Sequence, residues 1–252
     1  MTGLLAGLAL SLGLLSPLPE NPIPPQSQQM LRVISADWNA VPAKLQRFER
    51  PNSETAWQAV GSAMPVVVGK KGMGWGQGLH SKALAAPEAF RKEGDKRAPA
   101  GVFRLGTVFG LARPETVKPW LKMPYLLLQD ETRCIGARES VYYNQIVEQN
   151  QVKRDWKHDG DNENMKLDAL RDEGAYRWGL FVEHNTPPDR VSGSCIFVHL
   201  WKGDGSGTSG CTALSKQNIE ILLHWLDQSK NPILVQMPEA EYQALKAAWL
   251  LP

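Results

Sequence analysis

The run Thr208-Ser209-Gly210-Cys211-Thr212 places a cysteine directly after a glycine. His199 stands twelve residues earlier on the apolar run Cys195-Ile196-Phe197-Val198-His199-Leu200-Trp201. A thiol attacks as thiolate, and an imidazole within reach takes its proton and later returns one to a leaving amine. Cys211 and His199 are therefore read as nucleophile and general base for acyl transfer. Gly210 lets the turn tighten so that the amides of Gly210 and Cys211 can point at a developing oxyanion. His184, in Glu183-His184-Asn185, is the rival base and reads better as a polar residue facing substrate. His80, His158 and His224 fall in loop or helix contexts and read as surface or core residues.

The elements that must carry this pair are mostly strands. Leu31–Ala36, Lys44–Glu49 and Met64–Gly69 read as an opening meander, and Leu126–Gln129, Tyr176–Glu183, Ile196–Trp201 and Ile233–Gln236 as further strands. The twelve-residue spacing lets the chain leave the His199 strand, turn through Gly203-Asp204-Gly205-Ser206-Gly207, and return beside it. Ile219, Leu222, Leu223 and Leu226 form the apolar stripe of a helix over Ser215–Asp227 with Ser215 as its cap. Pro238 followed by Glu239 and Glu241 opens a short C-terminal helix. The segment from Tyr142 to Glu173 is polar and reads as an insertion or long loop. Gly72-Met73-Gly74-Trp75-Gly76-Gln77-Gly78 lacks the ending of a phosphate loop and reads as a hairpin with Trp75 on the lip of a cleft.

Bulk properties narrow the function classes. The 252 residues suffice for one substantial domain with a full core, and a net charge of +2 gives no basis for a nucleic-acid partner. There is no His-Glu-x-x-His and no Cys-x-x-Cys, so neither a metal nor another cofactor is expected. Leu4 to Leu15 is almost wholly apolar and runs into a proline-rich stretch ending at Pro25. That length suits a signal peptide and is short for a membrane span, so 1–28 is expected to lie outside the fold and 29–252 to form one exported domain. A Cys134–Cys195 disulfide would leave Cys211 as the free thiol, and two buried reduced cysteines fit the sequence as well.

Three segments resemble one family. Gly193-Ser194-Cys195 through Trp201, with Gly203, Gly205 and Thr208–Thr212, is similar to the catalytic motif of the YkuD-type L,D-transpeptidase domain. Glu93-Gly94-Asp95-Lys96-Arg97-Ala98-Pro99-Ala100-Gly101-Val102-Phe103 resembles a second segment of that family. Cys134, Ser140 and Tyr142-Tyr143-Asn144 resemble a third found in one of its branches, so the similarity runs from about Met64 to Gln236.

The resemblance implies a mainly β fold, a barrel-like sandwich with a few short helices and the cysteine loop at the mouth of a cleft. It also implies a periplasmic or secreted enzyme acting on peptidoglycan stem tetrapeptides, releasing D-alanine through a Cys211 thioester that passes to an amine of a second stem. Cys211 is then the nucleophile, His199 the base, and Ser209 with Gly210 the oxyanion and positioning segment. A carbapenem is expected to capture Cys211, because its β-lactam carbonyl mimics the acyl donor. Where many members carry a histidine before the glycine and an arginine after the cysteine, this chain has Ser209 and Thr212-Ala213. Lys202 or Arg138 then becomes the candidate for carboxylate recognition, with Trp201 and His184 as further substrate-facing residues. Hydrolysis of the same thioester by water, as in a carboxypeptidase or amidase, is the alternative outcome. A wall-binding module without turnover is the alternative class. A papain-like order is disfavoured, since there the cysteine precedes the histidine.

Overall fold

The computed structural model describes residues 20–86, 89–170 and 174–252. The expected signal peptide lies outside the described residues up to Pro19. Residues 20–28, expected to lie outside the fold, are in part packed against it. Ile23 and Ser27 are buried, Gln28 N–H donates to Lys230 O, and Arg50 Nε donates to Ser27 O. The proline-rich stretch is therefore partly packed against the first strands. None of the described helices is long and apolar enough to cross a membrane.

The chain is mainly β. Its strands are β1 (Gln29–Ser35), β2 (Pro42–Glu49), β3 (Gln58–Val67), β4 (Met73–Trp75), β5 (Ala98–Gly110), β6 (Tyr125–Leu127), β7 (Thr132–Ile135), β8 (Ile146–Glu148), β9 (Asn162–Asn164), β10 (Trp178–Val182), β11 (Phe197–Leu200), β12 (Thr212–Leu214) and β13 (Ile233–Pro238). The principal sheet runs β10-β11-β12-β3-β2-β1-β13-β5, and β10 also pairs with β5. The sheet thus closes on itself, which removes its open edges. β4 and β6 are added alongside β5.

The long strand β5 makes this closure possible. Gly101–Arg104 pairs with β13, and Leu105–Gly110 pairs with β10. Alternating burial along β1 and β2 and near-continuous burial along β5 and β13 fill the interior. Short helices cover the outside: α1 (Pro114–Val117), α2 (Met165–Leu170), α3 (Lys216–Trp225) and α4 (Glu239–Leu245). Ser215 caps α3 by accepting from Asn218 N, and Ile219, Leu222 and Leu223 face inward. Glu239 and Glu241 sit in the first turn of α4, where the helix dipole favours them.

Two local expectations change. Trp75 is buried rather than on a lip, because Met73–Trp75 adds to β5 in parallel and its indole packs edge-on against Trp38. The polar stretch after Tyr142 supplies β8 and β9, which flank β7 in a second sheet, β8-β7-β9.

A Cys134–Cys195 disulfide ties that small sheet to the segment preceding β11, leaving Cys211 as the free cysteine. The bridge closes a loop with a sequence separation of 61. By chain entropy that contributes about 4 kcal/mol, or roughly 10 °C of melting temperature for a chain of this size. A Cys134→Ser, Cys195→Ser double variant is expected to lose that much in thermal unfolding. A shift below about 2 °C would mean that the small sheet is held without the bridge.

Candidate active site

Cys211 immediately precedes β12, and the turn leading to it is fastened on both sides. Thr208 N–H donates to Val68 O and Lys70 N–H donates to Thr208 O, which stitches the turn to the end of β3. Thr208 Oγ1 donates to Cys211 O at 2.6 Å and accepts from Gly210 N at 3.1 Å. On the far side Thr212 Oγ1 donates to Gln236 Oε1, whose Nε2 donates to Pro99 O. Gly210 has φ +151°, a conformation that L side chains rarely adopt. The backbone at the thiol is thus set by three strands rather than by the turn alone.

β11 and β12 run parallel with His199 opposite Ala213. The Cys211 position falls one residue before the register pair Val198–Thr212, so Cys211 and His199 lie on the same face, two steps apart. Both line one cavity of about 590 Å³, large enough for a few residues of a peptide. His199 Nδ1 lies 2.7 Å from Leu200 O. A carbonyl can only accept, so Nδ1 carries the proton and Nε2 keeps its lone pair. The imidazole also stands edge-on to the Tyr176 ring at 5.3 Å.

At rest the pair is neutral. Burial pushes the Cys211 thiol well up and the charge of Glu163 adds to it, while the Phe197 amide and Arg91 act in the other direction. The thiol accepts from Phe197 N at 3.3 Å and lies 3.6 Å from Cys195 O, a placement in which it donates to that carbonyl. Burial lowers His199 to about 4. Both shifts favour the neutral thiol and the neutral imidazole over a thiolate–imidazolium pair. The Gly210 amide donates to Thr208 Oγ1 and is already engaged within the turn.

Of the expected substrate-facing residues, Trp201 and Lys202 line the cavity, as does Ser209 of the expected oxyanion segment, joined by Lys70, Glu163 and Tyr176. His184 and Arg138 do not line it, and the expectation for His184 is corrected. His184 is completely buried: Nδ1 accepts from Gln77 N and Nε2 donates to Ser192 O. It is a structural histidine, which removes it as the rival base. Arg138 is exposed and lines an adjacent cavity of about 540 Å³ that shares Glu163 with the first.

The three segments that resemble one family meet around the disulfide. Glu93 Oε2 accepts from Tyr143 Oη at 2.8 Å and from Ser194 Oγ at 2.6 Å. Asn144 donates to the carbonyls of His184 and Asn185 and accepts from Cys195 N. Arg91, two residues before Glu93, passes unnoticed in the sequence. Its guanidinium is buried against Asp95 at 3.6 Å and against Ser192 O at 3.1 Å, and its charge bears on Cys211 from behind the turn. A Cβ on Gly193 would overlap that guanidinium, which explains the glycine.

Lys70, Glu163 and Tyr176 are further cavity residues that sequence reasoning misses. Glu163 lies in a stretch read as a polar insertion, and only the Cys134–Cys195 pairing signals that this stretch borders the site. Among the described residues no group of three or more His, Cys, Asp or Glu is placed to hold a metal ion.

Three buried histidines make stability depend on pH. Burial is the main cause that lowers His80 to about 4, His184 to about 3 and His199 to about 4, from 6.5. Above pH 6.5 the rings are neutral folded and unfolded alike and add no slope. Between 6.5 and 4 the unfolded chain binds protons that the folded chain refuses, so stability falls as pH falls, by about 1.4 kcal/mol per histidine and pH unit. The urea midpoint is therefore expected to be level above pH 7 and to drop steeply below 6.5. A level midpoint down to pH 5 would contradict neutral buried rings.

A scan against protein-family models and searches of curated proteins and of solved structures return no match to this chain.

Proposed function

We propose that the protein is an exported cysteine acyltransferase of the L,D-transpeptidase type, acting on peptidoglycan stem tetrapeptides. The observation that carries the reading is the common cavity of Cys211 and His199, with the His199 ring held by Leu200 O so that Nε2 is the basic nitrogen. In the forward half-reaction Nε2 takes the thiol proton as sulfur bonds to the carbonyl carbon. The carbon–nitrogen bond then breaks, and D-alanine leaves with the proton from His199. An amine of a second stem attacks the thioester, gives its proton back to Nε2, and the thiol is restored. Water in place of the amine gives the carboxypeptidase outcome.

Two features support the cellular setting and the substrate class. A structural disulfide suits an oxidising compartment. Lys70 and Lys202 at the cavity offer cations to a substrate carboxylate in place of the arginine that the resemblance leads one to expect after the cysteine.

The test is intact-protein mass spectrometry with purified disaccharide tetrapeptide and, separately, with a carbapenem. Loss of D-alanine with a new dimer mass supports transpeptidation, and loss of D-alanine without dimer supports hydrolysis. No reaction with either compound would overturn the acyl-transfer reading in favour of a wall-binding module.

A further inference from the structure

Arg91 carries a charge into a part of the fold where charges are costly. Its side chain is 2% exposed. Nη1 donates to Ser192 O at 3.1 Å and Nη2 to Lys92 O at 3.3 Å, while Nε finds no acceptor among the described residues. Two glycines make room for the guanidinium. A Cβ on Gly193 would lie 1.9 Å from Nη1, and one on Gly210 would lie 3.6 Å from Nη2. Gly210 directly precedes Cys211, so the guanidinium packs against the back of the turn that presents the thiol.

Its counter-ion balances this charge only in part. Asp95 Oδ1 stands 3.6 Å from Nη2, but the carboxylate also accepts from Lys92 N at 2.6 Å and from Arg97 N at 2.8 Å, and its side chain is 24% exposed. Water screens the acid more than it screens the buried cation. His184 Nε2, 3.3 Å from Nη1, donates to Ser192 O and offers the guanidinium no lone pair. A buried ion so incompletely satisfied adds little to stability over an apolar side chain of the same size. Such charges gather where a reaction develops the opposite charge.

Here that place is Cys211. Burial raises the thiol and Glu163 adds to it, and Arg91, with the Phe197 amide, acts against both. Lys70 and Lys202 line the cavity that the thiol faces. His199 and His184, lowered mainly by burial to about 4 and about 3, are neutral near pH 7.

We propose that Arg91 is a positioning residue of the acyl transfer, setting a positive charge behind the turn so that negative charge can gather on Cys211 as its proton leaves. For its role in turnover the inference rests on the acyl-transfer reading, and it adds the residue that offsets the cost of a buried thiolate. The bonds made and broken are those given above. Arg91 takes no part in them and acts through its charge.

The experiment has two readouts on the intact protein: alkylation of Cys211, the free cysteine, by iodoacetamide as a function of pH, and single-turnover acylation by a carbapenem, each followed by mass. Arg91→Met is expected to move the alkylation profile up by about half a pH unit or more and to slow acylation about tenfold, the size of one lost neighbouring charge. Arg91→Lys keeps the charge and is expected to recover part of both. Asp95→Asn removes the acid instead, and is expected to move the profile to lower pH and to speed acylation. A mere brace for the turn would slow the reaction in all three variants, in step with their loss of melting temperature.

A profile that stays in place in Arg91→Met, or moves the same way in Arg91→Met and Asp95→Asn, overturns the assignment. Should Arg91→Met fail to fold, the sign of the Asp95→Asn shift decides: a move to lower pH supports the assignment, and no move or a move upward overturns it. Acylation with unshifted profiles sinks the role of Arg91 alone. Shifted profiles without any acylation sink the acyl-transfer reading and leave Arg91 as the support of a reactive thiol.

Discussion

Replacing Cys211 by alanine is expected to abolish every covalent adduct, from stem tetrapeptide and from carbapenem alike, while leaving the melting temperature nearly unchanged. The side chain removed is small, and the backbone at 211 is held by Thr208, Thr212 and the strand pairings rather than by the sulfur. The other two cysteines are engaged with each other and supply no substitute nucleophile. Intact mass after incubation checks the first half and thermal unfolding the second. An adduct that persists in Cys211→Ala would place the chemistry elsewhere and remove the basis of the proposed function.

The second large effect is on the base. His199→Ala is expected to slow single-turnover acylation by about 10²- to 10⁴-fold, the usual contribution of a positioned general base. The loss should be severe here because burial raises the thiol and so disfavours a thiolate that could react without the imidazole. Added imidazole is expected to restore part of the rate, since the vacated volume opens on the cavity. His184→Gln supplies the contrast: its ring is buried and bonded at both nitrogens, so its loss should appear in stability before it appears in rate. Equal acylation rates in His199→Ala and wild type would leave the thiol without its assigned base.

The parts of this site that were legible in the sequence are those where chemistry and local pattern coincide. A cysteine after a glycine turn and a histidine on an apolar strand are short-range signals, and the parallel pairing of β11 with β12 puts them on one face. The capped helix α3 and the acid-led helix α4 were legible for the same reason, as each is specified within its own turn.

What escaped were features decided by distant partners. β5 reads poorly as one strand because it carries three glycines and a proline among its apolar residues. It becomes a strand through pairing with β13, β10, β4 and β6. His184 has the sequence context of a rim residue, and only the closing of the barrel over it turns it into a buried brace. Glu163 sits in a stretch too polar to suggest a core, and a disulfide from its small sheet to the segment before β11 brings that stretch to the reacting groups.

The order of the three cysteines along the chain has a bearing on synthesis. On the proposed export the chain is threaded from its N-terminus, so Cys134 and Cys195 would meet an oxidant before Cys211, which follows Cys195 by sixteen positions. The thiols that must be joined meet first, and the one that must stay reduced arrives when its competitors are already spent. A permuted chain in which the nucleophile emerged ahead of Cys195 would expose the wrong pair first, and its yield of active protein would depend on disulfide isomerisation rather than on folding alone.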